Sequence, residues 1–401
     1  MGEGRSPASV GGWYRKRHEM RKVMLLIAMA GHNVGAVKLS PLLLVLATLL
    51  GACGGGGSGS APSPSSALTA SPSSEPQASS SPSPLPSEGA YGVIVDGASG
   101  DNYTVSLVGA DGKVASTGQA SKPAALTCGN GANAVLPPPV STSNSRVYFM
   151  DAQGVIRFLS PGGQTARATT VPVGAQRRST FAVSPDDKRI AVVVSDFTAS
   201  GVATSLYVED LNGGTQHKVI FTETGAFGLW PTGWHGSSLV VAKVPACAQG
   251  EGPFCCGPQE LHVIDPSTAA RRFTLGGPTC VIAGPPSAAG AVCETDAQAN
   301  VLDWSGTMTR TFSIQGQTPA YLSPNGNQSA VVEGNQSNFL DTTVEGSHAT
   351  FPSFQACGWI DGSRILGSDA QGHARVGDWV TGTMVPITAK GICAGRIPGG
   401  L

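Results

Sequence analysis

Two turn patterns recur along residues 90–401, and they constrain the fold more than any other feature. The first is a short apolar strand ending in Asp, followed by a turn that mostly carries Gly. It runs Leu206-Tyr207-Val208-Glu209-Asp210-Leu211-Asn212-Gly213, then Leu261-His262-Val263-Ile264-Asp265 and Val301-Leu302-Asp303-Trp304-Ser305-Gly306. It returns at Phe339-Leu340-Asp341 and at Val376-Gly377-Asp378-Trp379-Val380-Thr381-Gly382, with Asp spacings of about 55, 38, 38 and 37 residues. The second places a turn before an apolar strand, as in Ser184 to Arg189 before Ile190-Ala191-Val192-Val193, and Ser323 to Gln328 before Ala330-Val331-Val332. A third pair aligns Gly233-Trp234-His235-Gly236-Ser237-Ser238-Leu239 with Gly358-Trp359-Ile360-Asp361-Gly362-Ser363-Arg364-Ile365. Asp and Asn side chains close tight turns and Gly supplies positive φ. Short strands on a period near 40 residues predict an all-β chain of four-stranded blades, a β-propeller. Helical solenoids share the period but need long 3.6-residue apolar stretches, which are missing here.

The count points to seven blades, with six as the alternative if residues 91–119 are an appendage. Innermost strands are expected near 139, 180, 230, 280, 319 and 355. Residues 91–119 hold only three strands, so the tail Gly391-Ile392-Cys393-Ala394-Gly395-Arg396-Ile397 is expected to supply the fourth and close the ring. Closure removes a free sheet edge. Trp234 and Trp359 hold matching positions and read as packing residues. The repeated Asp residues at 210, 265, 303, 341 and 378 read as turn caps, since five equivalent catalytic residues make no chemical sense.

The stretch Ser184-Pro185-Asp186-Asp187-Lys188-Arg189-Ile190-Ala191 and its relatives resemble the TolB-like propeller repeat. The resemblance covers about residues 140–390 and departs at Asp187, where Gly is usual. It implies an extracytoplasmic compartment and a propeller that binds another protein or a ligand.

Residues 41–52 are a dozen mostly apolar positions, Pro-Leu-Leu-Leu-Val-Leu-Ala-Thr-Leu-Leu-Gly-Ala, with Lys38 and the cluster Arg15, Lys16, Arg17, Arg21 and Lys22 upstream. That is too short to span a bilayer and suits the apolar core of a secretory signal. The ending Leu50-Gly51-Ala52-Cys53 resembles the lipobox of bacterial lipoproteins. In that family the peptide is cut before the cysteine and the thiol carries diacylglycerol, which implies lipidation of Cys53, palmitate among the acyl chains, and localisation at a cell membrane or outer membrane. The long stretch before the apolar core places the start at Met1, Met20, Met24 or Met29. Residues 53–89 then form the lipidated Cys and a Gly/Ser/Pro tether whose only charges are Glu75 and Glu88. Such a segment buries too little apolar area to order itself. Residues 90–401 form the propeller.

Removal of residues 1–52 leaves 18 basic and 24 acidic groups. An acidic balance argues against nucleic acid as a partner and leaves membrane attachment to the lipid. Setting Cys53 aside, eight cysteines remain: Cys128, Cys247, Cys255, Cys256, Cys280, Cys293, Cys357 and Cys393. An even number in an exported domain predicts disulfides. Their spacing lacks the paired pattern of a zinc site, so no metal and no cofactor are expected. Cys280 and Cys293 flank a turn and suit a bond between neighbouring strands. Cys357 and Cys393 suit a staple at the ring closure. Within the insertion Val244 to Gln259, Cys247 is expected to bond Cys255 or Cys256, the other reaching Cys128; pairing of Cys128 with Cys393 is the alternative.

In a propeller the connections between blades share one face with the hairpins joining second and third strands. The longest loops, about 120–139, 195–205 and 244–259, fall on that face, where binding residues usually sit. Rim candidates are Arg177, Arg178, Trp230, Phe254, Phe354 and Lys390. No G-x-S-x-G, H-E-x-x-H or phosphate-loop motif occurs. His217, His235, His262, His348 and His373 are scattered, and Asp96-Gly97-Ala98-Ser99-Gly100-Asp101-Asn102 reads as a turn. These features tilt the expectation toward a binding or scaffold module for a protein or envelope glycan. The rival expectation is a glycan lyase or hydrolase with its site at the funnel mouth.

Overall fold

The computed structural model describes residues 89–97, 100–128, 131–198, 201–248, 260–314, 318–344 and 348–401. Cys53, the tether, Phe254, Cys255 and Cys256 lie outside the described residues. Thirty strands and no helix occur among the described residues. Twenty-eight of the strands form seven four-stranded antiparallel sheets, the blades of a propeller; the other two form a small separate sheet.

Blade I takes Tyr91–Asp96, Asn102–Gly109 and Val114–Ser121 from the start of the domain and Ile392–Ile397 from its end. Blade II follows with Val140–Thr142, Val147–Met150, Val155–Leu159 and Thr165–Thr170. Blade III runs through Arg177–Val183, Arg189–Thr198, Gly201–Asp210 and Lys218–Gly225. Blade IV comprises Phe227–His235, Ser238–Pro245, Glu260–Ile264 and Arg271–Gly276. Blade V is Val281–Ile282, Ala291–Glu294, Gln298–Leu302 and Met308–Ser313. Blade VI is Ala320–Leu322, Gln328–Glu333, Gln336–Asp341 and His348–Phe351. Blade VII is Phe354–Trp359, Arg364–Asp369, Ala374–Asp378 and Thr383–Pro386. The count is seven, because residues 91–121 are a true blade completed by the tail. The closing register pairs Tyr91 with Ile397, Ile94 with Cys393 and Val95 with Ile392.

The ring is held at its seams. Each pair of neighbouring blades encloses its own apolar cluster, and the seventh, with Ile94, Val108, Ile360, Leu366 and Val376, joins blade VII to blade I. Strand alternation explains this: successive side chains of one strand enter the seams on either side of its blade. Each fully buried Val, Leu or Ile contributes roughly 1.5–3 kcal/mol. Polar ties cross the same seams. Trp234 Nε1 donates to Ala182 O at 3.1 Å and Trp359 Nε1 to Tyr321 O at 2.8 Å, each reaching the preceding blade from the matching position. The Tyr103 hydroxyl donates to Met150 O at 2.6 Å, and burial pushes its pKa well above the ordinary tyrosine value.

The turns behave as their residues dictate. Asp303 accepts from the N–H groups of Ser305 and Thr307, Asp341 from Thr343 and Val344, and Asp378 from Val380 and Thr381. In the turn before Ala330-Val331-Val332, Ser323 Oγ accepts from Gln328 N and Gly326 takes φ +75°. The turn at Ser184 repeats this, with Ser184 Oγ accepting from Arg189 N at 2.9 Å. There Asp187 holds the glycine-like position at φ +60°, and its carboxylate accepts from Ser145 Oγ at 2.7 Å and Tyr148 Oη at 2.9 Å on blade II. The departure from Gly therefore serves a buried bond between blades II and III.

Candidate functional site

Three disulfides join described residues. Cys280–Cys293 links the first two strands of blade V, and Cys357–Cys393 links blade VII to the closing strand. The third corrects the sequence reading: Cys128 bonds Cys247, with Cα atoms 6.2 Å apart, so Cys247 does not pair inside its own insertion. The reason is spatial. The connection 122–139 leaves blade I and enters blade II, yet on the way it reaches blade IV.

Asn133–Ala134 pairs antiparallel with Cys247–Ala248, and Val135 N donates to Ala246 O at 3.0 Å. Val135 is buried in the cluster between blades IV and V, beside Trp230. Leu126, Cys128, Phe197, Val202 and Ala246 form a small core of their own. Phe197 and Val202 come from the long second and third strands of blade III, ten residues each. Arg178, on the innermost strand of blade III, donates to Ala124 O. The described residues of the connection, 122–128 and 131–139, thus form a cap over the innermost strands of blades III and IV on the face that carries the long loops. The signal for it in the chain is the apolar string Ala134-Val135-Leu136 before three prolines, inside one of the long loops.

The opposite face carries the end of the chain. Gly399 N donates to Ser143 O at 2.8 Å in blade II, and Leu401 N donates to Trp234 O at 2.9 Å in blade IV. A Cβ at Gly233 would lie 2.7 Å from Leu401 Cδ1, so a larger residue here would push the Leu401 side chain aside. His235 Nδ1 lies 2.9 Å from Leu401 O, and its ring stacks on Trp304 at 4.9 Å.

The rim candidates separate on this framework. Arg177 sits at the face in a two-point ion pair with Asp196, at 2.6 and 2.9 Å, and Lys390 is exposed between blade VII and the closing strand. Arg178 is buried under the cap. Trp230 and Phe354 are buried in the seams between blades IV and V and between VI and VII, not at the rim. Both stand on innermost strands, whose apolar side chains turn into the seams and away from the funnel. Phe254 lies outside the described residues.

The histidines do not converge. His217 Nδ1 meets Glu209 at 2.7 Å in blade III, and His373 meets Asp369 at 3.3 Å in blade VII. His262 is buried in blade IV, 3.2 Å from Glu260 Oε1, and burial lowers its pKa. No group of three or more His, Cys, Asp or Glu among the described residues is placed to hold a metal ion.

Two grooves remain. One of about 410 Å³ on blade III is lined by Asp196, Ala203, Thr204, Ser205, Thr222, Glu223 and Thr224. A second of about 250 Å³ between blades I and II is lined by Asn102, Gln119, Ala120, Ser121, Asp151 and Arg157. Their walls offer hydroxyl, amide and carboxylate groups, which suit polar hydrogen-bonding partners over apolar ones.

No protein-family model matches the chain, and no curated protein matches it either. Among solved structures, it is similar to a chain of a mitotic checkpoint complex crystal structure, at 13% identity and a TM-score of 0.42, covering 69% of this chain and 81% of that one. It is also similar to Saccharomyces cerevisiae Sqt1, at 11% identity and a TM-score of 0.42, covering 76% and 86% respectively.

Proposed function

We propose that the protein is a lipid-anchored, extracytoplasmic binding module of the TolB-like type. Its propeller presents the capped face to a protein or envelope glycan while Cys53 holds it at a membrane. The observation that carries the reading is the succession of an apolar signal-like core, Leu50-Gly51-Ala52-Cys53, a Gly/Ser/Pro tether and a propeller domain. The disulfides Cys128–Cys247 and Cys357–Cys393 agree with an oxidising compartment. A propeller is a frequent scaffold for protein binding, and the chemistry must be argued from its sites. The histidines are scattered, and His217, His235, His262 and His373 each have a partner of their own, which favours binding over a glycan lyase or hydrolase.

Expression of the full chain and of Cys53→Ser, followed by salt-washed membrane fractionation, tests the anchor. The wild type is expected in the pellet and the variant in the soluble fraction; a variant that still pellets overturns the anchored reading. Crosslinking and pull-down from solubilised envelopes tests the module, with a partner captured by wild type and lost when the grooves on blades I to III are mutated.

A further inference from the structure

Three buried side-chain nitrogen or oxygen atoms without a hydrogen-bond partner stand together on one face of blade III. They are Arg178 Nε, Thr180 Oγ1 and Thr204 Oγ1. Arg178 pairs with Ser195, and Ser195 with Thr204, so the three share one rung and one face of the sheet. Thr180 follows two residues on, on the same face. Ala182, next in that alternation, packs in the cluster between blades III and IV, so this face looks onto blade IV. The seam is therefore apolar where Ala182, Val193, Leu206, Trp234 and Val241 meet and polar toward the cap.

Arg178 is the anomaly. It is 5% exposed, and its hydrogen bonds go to two carbonyl oxygens, Ala124 O under the cap and Arg177 O. No carboxylate among the described residues pairs with it; Asp196, on the neighbouring strand, is the rung-mate of Arg177 and is taken by Arg177 on the opposite face. A buried guanidinium is costly unless an anion is hydrogen-bonded to it. Thr180 and Thr204, 8% and 4% exposed, add two hydroxyls that are free to donate. A water could satisfy Nε–H but not the charge.

We infer that the upper seam between blades III and IV is a binding site for a small oxyanion, a carboxylate or a phosphate, held by Arg178 Nε–H and the hydroxyls of Thr180 and Thr204 beneath the cap. The geometry suits a guanidinium that already spends its other edge on the cap and keeps one N–H for the ligand. This inference is independent of the anchored-module reading, because it concerns the propeller alone.

The test is a thermal and calorimetric titration of the disulfide-intact protein with sodium acetate, inorganic phosphate and sulfate against sodium chloride at matched ionic strength. A saturable rise in Tm with acetate or phosphate beyond that in chloride is expected. The acetate and phosphate arms separate the two ligand chemistries. Arg178→Gln is expected to abolish the rise, and Arg177→Gln, whose side chain lies on the other face, to retain it. Should Arg178→Gln fail to fold, Thr204→Val keeps the charge and is expected to weaken anion binding about 5- to 10-fold. The inference is overturned by a wild type that shows no saturable effect, by retention of the effect in Arg178→Gln, or by unchanged affinity in Thr204→Val.

Discussion

At the scale of single residues, the turn-closing aspartates couple the fold to pH. Asp303 and Asp341 lie below the ordinary carboxylate range because Ser305 and Thr343 donate to them, through hydroxyl and backbone N–H groups. Desolvation pushes Asp369 up, but the N–H groups of His373 and Gln371 with Arg375 outweigh it and hold its pKa at about 2. A carboxylate with a depressed folded pKa adds stability above its unfolded pKa, about 3.9, and loses it as pH falls through the folded value. Urea midpoints measured from pH 6 downward are therefore expected to decline, first because the buried His262 takes up a proton less readily folded than unfolded, and further between about pH 4 and pH 2 as these carboxylates protonate. Asp187 offers a second test. Asp187→Gly would relieve the positive φ, worth about 1 kcal/mol, but would leave the buried Ser145 and Tyr148 hydroxyls without their acceptor. The loss outweighs the relief, so a net destabilisation of about 1–3 kcal/mol is expected in denaturant titration. Its carboxylate was legible as an oddity in the turn, whereas its two partners, 42 and 39 residues away, were not.

At the scale of elements, the cap and the closing strand are the segments whose partners lie far away in sequence. Cys128–Cys247 closes a separation of 119 residues, for which chain entropy gives about 5 kcal/mol. Cys128→Ser with Cys247→Ser is expected to lower stability by a few kcal/mol and to open residues 122–139 to protease, while the seven seams survive. Limited proteolysis with mass mapping reads this directly; cutting between blades instead of in the cap would show that the cap is not a separable element. Cys357–Cys393 closes 36 residues, worth about 4 kcal/mol. Deletion of residues 391–401 removes more than that bond, because it strips Ile397 and Ala394 from the cluster between blades I and II and reopens blade I as a sheet edge. A single, cooperative loss of Tm is expected for the deletion, and an unchanged melting curve would show that the ring does not depend on the closing strand.

At the scale of the whole molecule, stability is a cycle of seven seams, and a change at any seam is expected to be felt around the ring. A core truncation such as Leu366→Ala, in the seam that closes blade VII onto blade I, is expected to cost about 2–5 kcal/mol and to lower one melting transition, followed by calorimetry. Two transitions would mean that the blades unfold independently. What was legible in the chain by itself was the repeating part, strand alternation, Asp and Gly at the turns and the period near 40 residues, together with the closing strand expected from a first blade one strand short and the Cys280–Cys293 bond across one turn. The strands and turns follow from short-range sterics and hydrogen bonding, which repeat wherever the same residues repeat, and the closing strand follows from the strand count of the first blade. Only the tertiary structure decided that Trp230 and Phe354 turn into seams, that Cys128 meets Cys247, that residues 122–139 form a cap, and that Arg178 is buried beneath it without a counter-charge. Each of those depends on which blades the ring brings face to face, and a repeat pattern carries the spacing of the blades but not the path of the one connection that crosses them.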